Sequence, residues 1–283
     1  SRPFVKTDEN TIRLPSGNYY FNETVIIPKG LELSIGAGST IFLNASFISY
    51  SPVMAIGSEK LPISIKRLNP ESAWGVFVVI NAKGEFNQVH FSGGSGDVIH
   101  GIYFTGMLAS HNSDVHVSNS LFENAGDDDA LNIKGGKFVI KNTIFKNNSF
   151  DAIDIDFSEG EVVDSMFLNN VGVDGDAIDL SFSEVAIIGN EIENCGDKGI
   201  SIGEKSTSVV ENNEIKGCQI GIAVKDSSYA KIVNSNLTEN EIGISLYRKK
   251  QVFGGAKASL SNVVFESNVQ DTKLDNLSEL YYE

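Results

Sequence analysis

A short phrase recurs along the second half of the chain. Asp129-Ala130-Leu131-Asn132-Ile133-Lys134 is followed by Asp151-Ala152-Ile153-Asp154-Ile155-Asp156 and by Asp176-Ala177-Ile178-Asp179-Leu180-Ser181. Lys198-Gly199-Ile200-Ser201-Ile202-Gly203, Ile220-Gly221-Ile222-Ala223-Val224-Lys225 and Ile242-Gly243-Ile244-Ser245-Leu246-Tyr247 complete the set. The small second residue falls at 130, 152, 177, 199, 221 and 243, in steps of 22, 25, 22, 22 and 22. A fixed period in this range marks a stacked repeat. Each phrase is apolar at every second position, as a strand is. Strand-only repeats of this length fit the coils of a parallel β-helix.

A second register runs through the same stretch. Phe122, Phe145, Phe167, Ile192, Ile215, Leu237 and Phe265 end the strand that follows each phrase. Three positions later stand Ala125, Asn148, Asn170, Cys195, Cys218, Asn240 and Asn268. Three positions earlier stand Asn119, Asn142, Asp164, Gly189, Asn212, Asn234 and Asn262. Asn recurs where the chain must bend, because it tolerates left-handed backbone and its amide bonds neighbouring main chain. Amides on successive coils, about 4.8 Å apart, also bond one another.

These patterns predict an all-β fold, a right-handed parallel β-helix (solenoid) of about ten or more coils. The expected boundaries are 1–268 for the β-helix, with regular coils from about residue 100, and 269–283 for a C-terminal tail or cap. Before residue 100, the segments 24–30, 31–36, 39–43 and 76–80 read as strands of the first coils beside an N-terminal cap. Leu274, Leu277 and Leu280 stand at helical spacing and suggest a short helix over the open end, which would otherwise expose unpaired backbone. No Pro- or Ser-rich linker divides the chain, so one elongated domain is expected.

The net charge of −15 argues against nucleic acid, whose binders carry basic stripes. No apolar run reaches membrane-spanning length. The first residue is Ser and no signal peptide precedes it, which reads as a processed or trimmed chain. Cys195 and Cys218 share one column on adjacent coils, with Cα atoms expected about 5 Å apart. That spacing leaves two alternatives open: a disulfide, or two buried thiols replacing Asn in the ladder.

With Ile153 and Ile155 inward, Asp154 and Asp156 point outward. Carried along the stack, this register gives one outward column of Asn132, Asp154, Asp179, Ser201, Ala223 and Ser245. The next is Lys134, Asp156, Ser181, Gly203, Lys225 and Tyr247. A third, at the strand entrance, is His100, Asp129, Asp151, Asp176 and Lys198. The segment 100–105 extends the first two columns with Tyr103 and Thr105. The strip is acidic in the middle and flanked by lysines.

Asp154 and Asp179 are expected one coil apart, and like charges so close raise a pKa or attract a cation. Three uses follow. A protonated carboxyl acts as general acid beside a second carboxylate, with Asp154, Asp179, Asp151 and Asp176 as the catalytic candidates. Alternatively Asp154, Asp156 and Asp179, supported by Asp151 and Asp176, bind calcium through hard oxygen ligands. Or the acids are solvated surface. In the first two readings Lys134, Asp156, Lys198, Lys225, Tyr103 and Tyr247 line the substrate. Trp74, the single Trp, is expected in the core.

The arrangement resembles the carbohydrate-active right-handed β-helix proteins, a group including polygalacturonases, uronan lyases and mannuronan epimerases. Polygalacturonase-type hydrolases carry Asn-Thr-Asp, Asp-Asp, Gly-His-Gly and Arg-Ile-Lys on successive coils. The corresponding positions here are Ser149-Phe150-Asp151, Gly175-Asp176, Asp197-Lys198-Gly199 and Ala223-Val224-Lys225. Asp151, Asp176 and Lys225 match. The first Asp of the pair, the His and the Arg are replaced, and the Asp-Pro-His-Asp-type motif of mannuronan epimerases is absent. The segments 197–206 and 247–250 are also similar to β-helix domains of large bacterial surface proteins that carry spore-coat-protein-H-like domains. The resemblance implies an extracellular or cell-surface protein that binds and processes a polysaccharide, as lyase, hydrolase or epimerase, along the acidic strip. The alternative is a non-catalytic structural, adhesive or filament-forming surface protein, since solenoids stack end to end when their caps allow it.

Overall fold

A computed structural model describes residues 4–126 and 129–283. Among these residues every regular element is a strand. They fall into two compact units, Ser1–Ile144 and Phe145–Glu283. Within each unit the strands that build the coils pair in parallel and in register from one coil to the next, which is the parallel β-helix the repeats predict.

In the first unit three columns of strands build the coils. One contains Thr11–Leu14, Glu32–Ile35, Val53–Ile56, Lys83–Asn87 and Asp114–Ser118. The second contains Val25–Ile27, Phe47–Ser49, Phe77–Ile80 and Leu108–His111. The third contains Asn18–Phe21, Thr40–Leu43, Ile63–Arg67, Val89–Ser92 and Leu121–Glu123. Val5–Lys6 pairs antiparallel with Thr11–Leu14 and caps the first coil. Alternate residues face inward, so Phe47, Phe77, Phe86, Phe91 and Phe122 fill the core. Trp74 is buried with them, its indole N–H donating to the Ser92 carbonyl at 2.9 Å.

In the second unit the recurring phrases form one face. We label its strands β1 (Ile153–Val163), β2 (Ile178–Ser181), β3 (Lys198–Gly203), β4 (Ile220–Lys225), β5 (Ile242–Tyr247) and β6 (Gln270–Leu274). They pair parallel in that order, with Ile153, Ile178, Ile200, Ile222, Ile244 and Thr272 in one column. The small residue of each phrase has a steric cause. A Cβ on Gly199 would meet the Gly221 carbonyl oxygen at 2.6 Å, and one on Gly221 the Gly243 oxygen at 2.7 Å. The second predicted column also holds, with Phe167, Ile192, Ile215, Leu237 and Phe265 in register.

The predicted Asn roles appear as two kinds of ladder. Asn119, Asn142, Asn212, Asn234 and Asn262 all have φ between 48° and 58° at the turns, where few other side chains are tolerated. Asn148 Nδ2 donates to Asn170 Oδ1 at 3.0 Å, and Asn240 Nδ2 to Asn268 Oδ1 at 3.1 Å, inside the stack. Where the same inner column carries cysteine, Cys195 and Cys218 form a disulfide with Cα atoms 4.6 Å apart. That resolves the alternative left open by the sequence.

Two expectations need correction. The helical spacing of Leu274, Leu277 and Leu280 is not realised: Gln270–Leu274 and Glu279–Tyr282 are strands, paired with β5 and with Lys257–Ser261. A neighbouring coil offers backbone partners to both segments, and that outweighs a three-leucine spacing. Tyr103 does not extend the outward columns either. Ile102–Phe104 folds back antiparallel on Asp97–Ile99 through a turn at His100-Gly101, both at positive φ. The strand in register with Asn132 and Lys134 is Leu108–His111, which places Ala109 and His111 in those columns.

Candidate acidic site on the second unit

Asp151, Asp176 and Asp179 converge. One carboxylate oxygen from each lies within 4.8 Å of the others. The backbone explains how. Asp179 stands on β2, opposite Asp154 of β1 and Ser201 of β3. Asp151 and Asp176 stand at the strand entrances, where each also holds the next coil. The Asp176 N–H donates to Asp151 Oδ1 at 2.7 Å, and the Lys198 N–H donates to Asp176 Oδ1 at 2.9 Å. The same carboxylates therefore fasten the stack and face one another.

The trio differs from the Asp154, Asp156 and Asp179 expected to hold a cation. Asp151 and Asp176, at the strand entrances, each bring a carboxylate oxygen to Asp179. Asp154 and Asp156 remain half-buried beside the trio, opposite Asp179 and Ser181.

Two buried lysines enter the cluster. Lys198 Nζ lies 3.2 Å from Asp176 Oδ1 and 3.4 Å from Oδ2, and also pairs with Asp197. Lys225 Nζ lies 3.5 Å from Asp179 Oδ1. Gly203 makes room for it, since a Cβ there would stand 2.6 Å from Lys225 Cε. Tyr247, in register with Lys225, is half-buried at the far side. Lys134 belongs to the first unit, where it is exposed and in register with His111.

Burial and crowding set the charges. Burial, then Asp176, Asp179 and Asp154, push the Asp151 carboxyl well above its ordinary range. Burial and Asp179 lift Asp176 to about 6, against the opposing pull of Lys198 and Lys225. Burial alone would lower both lysines, but the carboxylates win: Asp176 and Asp197 raise Lys198, and Asp179 and Asp176 raise Lys225. Burial also raises the Tyr247 hydroxyl. Asp179 Oδ1 and Ser201 Oγ, opposite each other on adjacent coils, are buried without a hydrogen-bond partner.

The donor set suits calcium poorly. Calcium takes 6–8 oxygen ligands. Here two of the three carboxylates already meet an ammonium group, Asp176 that of Lys198 and Asp179 that of Lys225, and these repel a divalent ion.

The family described as "Right handed beta helix region" matches residues 105–272. The chain belongs to that family.

No curated protein matches this β-helix chain. Solved structures share its fold. The mannuronan C-5 epimerase A-module of Azotobacter vinelandii aligns over 95% of this chain and 90% of its own, with 12% identity and a TM-score of 0.56. The catalytic domain of a GH87 α-1,3-glucanase in complex with nigerose aligns over 96% and 64%, with 13% identity and a TM-score of 0.59. An alginate lyase from Paenibacillus sp. str. FPU-7 aligns over 92% and 100%, with 10% identity and a TM-score of 0.51.

On this right-handed β-helix, register reasoning found the Asp and Lys columns but missed three features. Asp197 ties Lys198. Glu204 accepts a hydrogen bond from Ser181 Oγ at 2.6 Å and pairs with Lys250. Lys250 lies in the segment 248–255, which interrupts the period between β5 and β6; that 28-residue step, from Ile244 to Thr272, was the available signal.

Proposed function

We propose that this protein cleaves a glycosidic bond of a polysaccharide at the outward face of the second unit, outside the cell or at its surface. The observation that carries the reading is the convergence of Asp151, Asp176 and Asp179 within 4.8 Å, with Lys198 and Lys225 buried against them. Three carboxyl groups so close do not all ionise together near neutral pH, so the cluster keeps a proton available.

Asp151 and Asp176, both held above the ordinary carboxylate range, supply the acid. As the bond between the anomeric carbon and the leaving oxygen breaks, that oxygen takes the proton; a water molecule adds to the anomeric carbon and returns its own proton to the carboxyl cluster. Asp179 supplies the carboxylate facing the positive charge that builds on the sugar ring. Its Oδ1 is buried beside Lys225 Nζ, 3.5 Å away. Lys198 holds Asp176 in place. Lys225, whose Nζ lies 3.5 Å from Asp179 Oδ1, is the cation a uronate carboxylate would meet.

The neighbours are a mannuronan C-5 epimerase, an alginate lyase and an α-1,3-glucanase. At such low identity they support the scaffold's suitability for polysaccharides, and the acidic cluster supports cleavage. The resemblance to bacterial surface β-helix domains supports the location. The test is to incubate the protein with alginate, polygalacturonate and α-1,3-glucan at pH 5 to 6 and to measure new reducing ends and new unsaturated ends. New reducing ends on one of them support the reading, and no new ends on any contradicts it.

A further inference from the structure

Phe157 and Phe182 stand where β1 and the segment after β2 turn, one position beyond Asp156 and Ser181. Both have left-handed backbone, φ 50° and 52°. Elsewhere this conformation falls almost entirely to Asn, Gly and other polar residues. A bulky aromatic at positive φ is a genuine outlier. The two rings nevertheless stack in parallel, centroids 4.9 Å apart and planes 4° apart, and they remain 57% and 42% exposed. Phe253, from the segment 248–255, meets Phe182 edge-on at 6.1 Å.

Burial does not explain these rings, and the backbone disfavours them. Their surroundings are polar. Asp156 and Ser181 precede them in register, and the next turn carries Glu204, bonded to Ser181 and paired with Lys250. The stack also continues the acidic strip. From Asp154 to Phe157 is three residues, about 10 Å along the strand direction. Stacked face to face, the rings cover one face of each other, so the apolar surface they offer is the outer face of the pair, which fits the C–H face of a pyranose ring with its hydroxyls reaching the polar rim.

The geometry points to Phe157 and Phe182 as a stacking platform for a pyranose ring of the polysaccharide, a binding subsite beside the acidic cluster. This inference rests on the reading of that cluster as a polysaccharide site. The platform positions the chain by a ring other than the one that reacts. Phe253 and the Glu204–Lys250 pair close its far edge.

The test measures binding of alginate, galacturonate and nigero-oligosaccharides by calorimetry, in an Asp179→Asn background so that chains stay intact. Asn suits the left-handed turn, so Phe157→Asn and Phe182→Asn should melt no lower than their parent. Each is expected to weaken oligosaccharide affinity roughly tenfold. With Asp179 restored, KM should rise while kcat holds. Phe182→Leu, which keeps apolar bulk without a ring face, should weaken binding likewise and decides the matter if an Asn variant fails to fold. Unchanged affinity in the Asn and Leu variants overturns the platform, above all if melting temperature falls, since the rings would then be a structural ladder only. Cleavage by the natural chain together with unchanged affinity in the variants sinks the platform alone. An absence of both binding and cleavage in the natural chain sinks the polysaccharide reading and the platform with it.

Discussion

Lys198 Nζ lies 3.2 Å from Asp176 Oδ1, and the Lys198 N–H donates to the same oxygen at 2.9 Å. One residue thus fastens the third coil of the face to the second and sets the charge of a carboxyl in the candidate site. Replacing it separates these two effects. Lys198→Met removes a cation that holds Asp176 down, so Asp176 should rise above about 6 and the alkaline limb of the cleavage profile should move to higher pH. It also leaves the buried Asp176 without its ammonium, at a cost of about 3–5 kcal/mol near neutral pH. That cost should shrink on acidification as the carboxyl protonates. Activity and melting profiles against pH check both signs.

Asp176 itself makes stability depend on pH. Its folded pKa, about 6, exceeds the ordinary 3.8 of an unfolded chain. Below 3.8 both states are protonated and the group contributes nothing. Above about 6 both are ionised, and the folded state carries the full cost of the buried charge, on the order of 3 kcal/mol. The protein should therefore melt higher at pH 4.5 than at pH 7. Asp176→Asn should flatten that slope, as calorimetry in matched buffers would show.

The Cys195–Cys218 disulfide joins two coils across a sequence separation of 23 residues. Closing a loop of that size stabilises a fold by roughly 3 kcal/mol. The double Ala variant should lose about that much in chemical denaturation, and reductant should lower the melting temperature of the natural chain only.

Because Lys198 and Lys225 meet the carboxylates where a cation would bind, turnover should need no calcium. Dialysis against chelator should leave the cleavage rate and melting temperature unchanged. A loss restored by calcium would show that carboxylate oxygens, and not ammonium groups, organise the cluster.

The fold was legible because a β-helix writes its register into the chain. Ile153, Ile178, Ile200, Ile222 and Ile244 align by counting alone, and the structure pairs them so. The same counting placed Asp154 opposite Asp179. It did not show that Asp151 and Asp176 lean in toward Asp179, because columns specify which residues neighbour each other and not where side chains point. Tyr103 was misplaced for a related reason. Phase carried backward from residue 129 ignores a turn such as His100-Gly101, which spends residues on a hairpin. The stacked Phe157 and Phe182 escaped notice because turn positions elsewhere in the chain carry Asn and Gly, and nothing in the apolar alternation marks an aromatic there.

The most direct test of the central claim compares the natural chain with Asp179→Asn in a reducing-end assay on alginate, polygalacturonate and α-1,3-glucan, with melting curves as the folding control. General acid–base and charge-stabilising groups typically contribute 10²–10⁴-fold. The account predicts cleavage of one of these polymers by the natural chain, and a rate at least about 100-fold lower for the equally folded variant. Equal rates in the two proteins, or no cleavage of any polymer by the natural chain, would contradict it.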